Sequence, residues 1–213
     1  DWLLRGNSSF TGPSTTFRTQ VAKFNAHMPR NLYIIAGDSF LESLALALNY
    51  AVLNPANTLA WTEFMTALRR LFPHEYDMSK YDEMTVFIDC NPSFSVYTQM
   101  ALVSVDQLIV PMMADYSSAE GVKSIFMMLY GKYSSSALQK YATNIVAFHK
   151  QTEKFQLKLT TIYGFVFSSY TSNQGVASAF RSVRGELVDF CYQQYQAFPE
   201  HFASVDPAPR TCG

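Results

Sequence analysis

The sequence carries little charge, and the charge it carries is nearly balanced. Only 15% of its 213 residues are charged, and 16 lysines and arginines against 17 aspartates and glutamates leave a formal net charge of −1. A nearly neutral chain has no overall positive field, which excludes a protein that binds nucleic acid through its global charge. Any contact with DNA must therefore come from a local basic patch.

The sequence also lacks the features of membrane proteins and of zinc or disulfide proteins. It has no apolar run long enough to span a membrane. Its cysteines, Cys90, Cys191 and Cys212, form no C-x-x-C pair, and its histidines are scattered singly. These absences predict a cytoplasmic protein with reduced thiols, without a membrane partner or a metal–thiolate site. The chain opens on Asp1 without an initiator Met or a signal peptide, so we expect a fragment.

Short apolar runs alternate with helical patterns along most of the chain. The runs that predict strands are 32–36, 85–88, 108–110 and 159–167. The helices are predicted from Ser39, from Asn57 to a stop at Pro73, and over 95–103, 117–130 and 176–194. Nearly continuous apolar strands between amphipathic helices are typical of a parallel sheet that is covered on both faces. The sequence therefore predicts an α/β three-layer sandwich with a mostly parallel sheet over residues 31–198, after an irregular lead-in over 1–30 and before a flexible tail over 199–213.

The first place to look for function is the residue after each strand, because ligands of parallel sheets bind at the carboxyl ends of the strands. Asp89 follows the strand predicted at 85–88. Its carboxylate could hold Mg²⁺ through water beside the phosphates of a nucleotide. An Asp after a strand is also a common turn or helix-cap residue, and this residue alone does not decide between the two.

Several segments together resemble the ParA family of deviant P-loop ATPases. They are Asn31-Leu32-Tyr33-Ile34-Ile35-Ala36-Gly37-Asp38, Phe87-Ile88-Asp89-Cys90-Asn91-Pro92-Ser93, the pair Ala101-Leu102, Asp106-Gln107-Leu108-Ile109-Val110-Pro111, and Ala114-Asp115-Tyr116-Ser117. They follow one another in the order and spacing of the family, over about residues 30 to 195. Asn91 is a departure, since many members have a proline at this position.

The resemblance implies a partitioning ATPase that binds ATP and Mg²⁺, forms a homodimer in the ATP state and segregates a plasmid or chromosome with a ParB-type partner. Carried over by position, Asp89 would be the catalytic acidic residue of the Mg²⁺ site, acting through water. Pro111, Asp115, Ser168 and Ser169 would lie near the adenine of the nucleotide.

The sequence does not contain the loop that such an ATPase needs for its phosphates. That loop is a Gly-Lys-[Ser/Thr] turn at the start of a helix. The one Gly-Lys pair, Gly131-Lys132, is followed by Tyr133 and is typical of a helix C-terminus. In the family, the loop lies on the first strand–helix unit, which we expect to precede Asp1. We therefore predict that this chain alone does not hydrolyse ATP, either because it is truncated or because it is a non-catalytic binding module that has lost hydrolysis.

A pair of arginines is the candidate contact for non-specific DNA. Arg181 and Arg184 lie one turn apart on the last predicted helix, and Lys150, Lys154 and Lys158 form a loose cluster upstream. Lysines and arginines that contact phosphates supply most of non-specific DNA binding. The alternative is an ordinary solvated helix face.

Two other functions are disfavoured by the sequence. A MinD-like membrane regulator would need a C-terminal amphipathic helix, and the chain ends in a proline-containing tail instead. Cys90 is a poor nucleophile because the neighbouring Asp89 raises the pKa of a thiol, so we expect Cys90 to be a small packing residue.

Overall fold

The computed structural model describes residues 17–37, 45–46, 58–76, 79–91, 93–131, 147–168 and 178–203. The chain forms two compact units, Asp1–Ser104 and Val105–Gly213. Of the helix predicted from Ser39, only residues 45–46 are described, and both are helical.

The N-terminal unit contains a small antiparallel sheet. Strand β1 (Thr19–Gln20) pairs with β2 (Tyr33–Ile34), and a 3-10 helix over Val21–Lys23 follows β1. The prediction of a buried parallel strand at 32–36 is wrong in this structure, because β2 is two residues long and Ile34 is 55% exposed. Its partner is a strand close by in sequence, and a short hairpin of this kind pairs antiparallel and leaves one face in solvent.

Three helices form the apolar core of this unit: α1 (Thr58–Met65), α2 (Ala67–Glu75) and α3 (Val96–Ser104). The core residues include Trp61, Met65, Leu71, Met100 and Val103. The helix predicted from Asn57 is divided at Thr66, whose hydroxyl donates to the carbonyl of Thr62 at 2.8 Å. The sequence predicted that the helix stops at Pro73, but Pro73 lies inside α2. Proline removes one backbone hydrogen bond. Because Pro73 lies only about two residues from the end of α2, the helix tolerates this loss and continues to Glu75.

Glu75 is a buried carboxylate at the end of α2, only 4% exposed. It accepts hydrogen bonds from the backbone N–H groups of Phe17 at 2.8 Å and Arg18 at 3.2 Å. The Arg18 guanidinium also donates to the backbone carbonyl of Glu75. These bonds compensate for the burial of the charge and tie residues 17–18 to the helices.

The strand predicted at 85–88 is not formed. Residues 81–91 are neither strand nor helix, and Phe87 is 85% exposed. An extended segment becomes a strand only when a neighbour satisfies its backbone groups, and no described strand of the N-terminal unit pairs with this one. Asp89 therefore follows a segment that forms no strand with the described residues, which corrects the sequence-based expectation.

The C-terminal unit is built on a parallel pair of strands, as the sequence predicted. Strand β3 (Gln107–Met112) pairs with β4 (Thr161–Phe167). Leu108 lies opposite Ile162, but Ile109 lies opposite Gly164, so Tyr163 is an extra residue in β4. This bulge changes which side chains of β4 share a face.

Three helices accompany this sheet: α4 (Tyr116–Tyr130), α5 (Phe148–Lys154) and α6 (Ser178–Ala197). They confirm the helices predicted at 117–130 and 176–194. Helices α4 and α6 cover one face of the sheet through a core that consists of Val110, Met112, Ile162, Val122, Phe126 and Leu187.

The other face of the β3–β4 sheet is exposed. Ile109, Tyr163 and Val166 are 47%, 56% and 52% exposed. The described residues thus confirm an α/β fold with a small parallel sheet and helices. The three-layer sandwich with a larger sheet stays a prediction, since each described sheet has two strands.

Gly131 ends α4 in the left-handed conformation, with φ of 67°. Its N–H donates to the carbonyl of Met127 at 2.9 Å, which is the usual role of glycine after a helix. The interpretation of Gly131 as a helix C-terminus is confirmed, and a phosphate-binding loop at this position is excluded.

Part of the segment assigned to the tail packs against the C-terminal unit. A 3-10 helix over Pro199–His201 is followed by Phe202, which contacts the core, and the N–H of Ala203 donates to the carbonyl of Ile162 at 2.8 Å. These residues cover the edge of β4 near its start.

Candidate functional site

The carboxyl ends of β3 and β4 lie side by side and form the candidate site. The N–H of Ser168 donates to the carbonyl of Met112 at 2.9 Å, which continues the ladder one residue beyond β4. Pro111 lies opposite Val166 and is exposed. Because proline has no N–H to offer to a further strand, it suits a strand at a sheet edge. The structure thus brings Pro111 and Ser168 to the same end of the sheet.

Asp115 caps the N-terminus of α4 beside this edge. Its backbone is extended, with φ of −132°, and its Oδ1 accepts from the N–H of Ser118 at 2.7 Å. The hydroxyl oxygen of Ser118 in turn accepts from the N–H of Met113 at 3.0 Å. Two backbone donors are satisfied in this reciprocal way, as in a capping box.

Ser117 and Glu120 have the three-residue spacing of a capping box in the sequence, but they do not form one. Ser117 already lies within α4, whereas a capping residue must be extended, as Asp115 is. Glu120 instead forms an ion pair with Lys123 at 2.8 Å.

The polar groups described at this edge suit the base of a nucleotide better than its phosphates. They are the Ser118 and Ser168 hydroxyls, the Asp115 carboxylate and backbone groups of 111–115, with no lysine or arginine among residues 111–118. The Asp115 carboxylate repels phosphate, while hydroxyl and backbone groups can hydrogen-bond a neutral ring.

Tyr116 is a candidate residue that the sequence interpretation missed. It follows Asp115, opens α4 and is 75% exposed. A flat exposed ring at the mouth of a sheet can stack on a base. The sequence signal was available, because Tyr116 directly follows the acidic residue in the segment that resembles the ParA family.

Asp89 lies in the N-terminal unit and is exposed, just ahead of an anchored turn. In that turn the Thr98 hydroxyl oxygen lies 2.7 Å from the Ser93 carbonyl and 3.2 Å from Asn91 Oδ1. The Ser95 hydroxyl also accepts from the N–H of Thr98 at 3.3 Å, in the manner of a helix cap. The turn after Asp89 is thus fastened to the first turn of α3.

Cys90 is exposed, so the expectation of a packing residue is wrong. Desolvation by surrounding protein atoms, and then the Asp89 carboxylate, raise the pKa of the Cys90 thiol. The expected direction of the pKa shift is confirmed, and a raised pKa makes the thiol a weak nucleophile at neutral pH.

Three of the basic residues predicted to contact DNA have partners in the structure. The guanidinium carbon of Arg184 lies 5.3 Å from the centroid of the Phe167 ring. Lys150 and Lys158 pair with Glu153 and Asp106 at 3.6 and 3.7 Å. The side chain of Arg181, like Ser169, lies outside the described residues.

The described residues fit some parts of ATP and Mg²⁺ and not others. The β3–β4 edge fits the base, and an exposed Asp89 fits a contact to Mg²⁺ through water. Within the described residues, no group of three or more potential metal ligands is found. Residues 1–213 also lack the Gly-Lys-[Ser/Thr] loop with which P-loop ATPases bind the phosphates. None of the described helices has both the length and the apolar character needed to cross a membrane.

A parallel strand pair with crossover helices and candidate residues at its carboxyl end defines an α/β protein and is consistent with a P-loop NTPase-like fold. Comparison with protein families narrows this class. The chain belongs to the family described as AAA domain, whose model matches residues 31–157, more than half of the sequence. This family is nucleotide-binding and ATPase-like. No significant match was found among curated proteins or solved structures.

Proposed function

We propose that this chain acts in a ParA-like partitioning ATPase of the cytoplasm. In this proposal the protein binds ATP and Mg²⁺, dimerises in the ATP state, and segregates a plasmid or chromosome together with a ParB-type partner. The family match over residues 31–157 carries the proposal, because it includes every ParA-like segment from Asn31 to Ser117.

The adenine end of the nucleotide is assigned to the carboxyl edge of β3 and β4. Pro111 and Ser168 would flank the base, Ser169, the next residue in the sequence, would lie near it, and the exposed ring of Tyr116 would stack on it. Asp115 has a supporting role here: its Oδ1 fastens the first turn of α4, so it positions the edge and does not need to touch the nucleotide.

Asp89 is assigned to Mg²⁺ through water. Its exposed carboxylate and the fastened turn behind it support this role, because a metal contact needs a carboxylate that is free to reach solvent and a backbone that holds it in place. Non-specific DNA contact is assigned to Arg181 and Arg184.

A non-catalytic binding module is the second candidate, and one observation favours it. Residues 1–213 contain no Gly-Lys-[Ser/Thr] loop, which P-loop ATPases use to neutralise the β and γ phosphates. This candidate predicts that even the product of the complete gene binds its partner without hydrolysing ATP.

The partitioning role is tested in the cell. The gene is replaced by an Asp89→Ala variant and, as a matched control, by an Asp82→Ala variant, since Asp82 is also exposed and seven residues away in sequence. We expect loss of the plasmid or chromosome per generation to rise with Asp89→Ala and to stay at the native level with Asp82→Ala. Native segregation with both variants and with a gene deletion would refute the partitioning role.

A further inference from the structure

A groove in the N-terminal unit has a chemistry that the nucleotide site does not use. It encloses about 590 Å³ and is lined by Gln20, Arg30, Asn31, Lys80 and Tyr81. The side-chain amide of Gln20 donates to the backbone carbonyl of Arg30 at 2.5 Å, which ties β1 to the turn that carries Arg30 and Asn31. We call it the Arg30–Lys80 groove.

Two cations line this groove without an acidic partner. Arg30 and Lys80 are exposed, and neither forms an ion pair with a carboxylate of the described residues. A groove whose described lining carries two positive charges and no carboxylate attracts anions.

Lys80 is held in place by neutral aromatic groups. Its ammonium donates to the Tyr33 hydroxyl at 3.4 Å and lies 5.2 Å from the centroid of the Tyr81 ring. The Tyr33 and Tyr81 hydroxyl oxygens lie 3.0 Å apart, so the two rings form one support. Hydrogen bonds to Tyr81 and Tyr33 raise the pKa of Lys80, which keeps the ammonium charged at neutral pH. An exposed lysine is normally mobile, and this support lowers the entropy lost when it binds a ligand.

The size and composition of the groove select a small ligand. Small-molecule pockets measure about 300 to 1,000 Å³ and combine a few placed polar groups with aromatic surface. Arginine and lysine are the residues that bind phosphate oxygens, and the amides of Asn31 and Gln20 add polar groups beside them.

We propose that the Arg30–Lys80 groove binds a small molecule that carries one or two phosphate groups. The site uses none of the residues assigned to ATP, and it stands or falls independently of the partitioning role. Free diphosphate and the diphosphate of a nucleotide share this chemistry, and the flat face of Tyr81 is available to the base of the latter.

The test is calorimetric titration of the chain with inorganic pyrophosphate, which has no base and so does not report on the β3–β4 edge. Lys80→Gln and Arg30→Gln are each expected to weaken binding by about tenfold or more, because each removes one charge-assisted contact. Lys23→Gln is the matched control: Lys23 is exposed in the 3-10 helix after β1 and does not line the groove. Its affinity for pyrophosphate should equal that of the native chain.

Three results would overturn the proposal. They are no pyrophosphate binding by the native chain, equal weakening by Lys23→Gln and Lys80→Gln, or binding of a single-stranded oligonucleotide without binding of pyrophosphate. Circular dichroism establishes that each variant is folded, and because Arg30 and Lys80 lie on separate segments, one variant suffices if the other unfolds. Titration of the native chain and of Lys80→Gln with ADP then identifies the source, because only the binding that Lys80→Gln weakens belongs to the groove. If that binding is tighter than the binding of pyrophosphate, the ligand is a nucleotide; if it is equal or weaker, the ligand is free diphosphate.

Discussion

Replacement of Asp115 is the most informative single change in the C-terminal unit, because it tests whether this residue caps a helix or binds the nucleotide. In the structure its Oδ1 accepts from the N–H of Ser118 at 2.7 Å, at the first turn of a 15-residue helix. Loss of an N-cap hydrogen bond costs about 1 kcal/mol of stability. Helix α4 carries Val122 and Phe126 into the core, so this cost should appear in the unfolding of the unit. We therefore expect Asp115→Ala to lower the free energy of unfolding by about 1 kcal/mol.

Asp115→Asn is the matched control, because asparagine caps helices as well as aspartate does. The charge lost at the helix N-terminus should lower its free energy of unfolding by about 0.3 kcal/mol or more. Apart from that loss, its stability should lie within a few tenths of a kcal/mol of the native value. Urea unfolding followed by circular dichroism measures both variants. The reasoning is refuted if Asp115→Ala unfolds like the native chain while nucleotide binding by the complete gene product collapses, since the carboxylate would then be a ligand and not a cap.

Three further predictions follow from the described contacts. Gly131→Ala should destabilise by about 1 to 3 kcal/mol in thermal unfolding, because φ is 67° and a Cβ would lie 2.7 Å from His149 Nε2; an unchanged melting temperature would show that His149 moves freely. Glu75→Ala should lower the free energy of unfolding in urea by about 2 kcal/mol or more, because it leaves the N–H groups of Phe17 and Arg18 without their acceptor. Glu75→Gln should lower it by less, and equal losses of stability in the two variants would refute this role of the carboxylate. Burial raises the pKa of Cys191 to about 11, so its thiolate appears only as pH rises towards that value. Iodoacetamide should therefore modify Cys191 slowly at about pH 8 and faster as pH rises, as measured by peptide mass spectrometry. Rapid modification at neutral pH would contradict the burial.

The helices and the parallel strand pair could be predicted from the sequence because each carries a local signal. The apolar spacing of Val122 and Phe126 is the spacing of one helix face, and Gly131 follows where that spacing ends. The runs at 108–110 and 159–167 are long and apolar enough to predict strands on their own. The edge that holds Pro111 and Ser168 follows from those strands, since parallel strands have their carboxyl ends on one side.

Other features depend on contacts that the sequence does not carry locally. Ile162 and Phe165 both pack on the core although they are three residues apart, because the bulge at Tyr163 shifts the period of two. The segment 85–88 has the composition of a strand, yet none of the described strands of its unit pairs with it. The Arg30–Lys80 groove joins residues fifty apart in sequence, and no motif marks their meeting.

The most direct test of the central claim is ATP binding and turnover by the complete gene product beside residues 1–213. We expect turnover by the complete product, its loss in Asp89→Ala, its retention in Asp82→Ala, and none from residues 1–213 alone. Absence of nucleotide binding by the complete product, or equal turnover by the two aspartate variants, would contradict the ATPase assignment of Asp89.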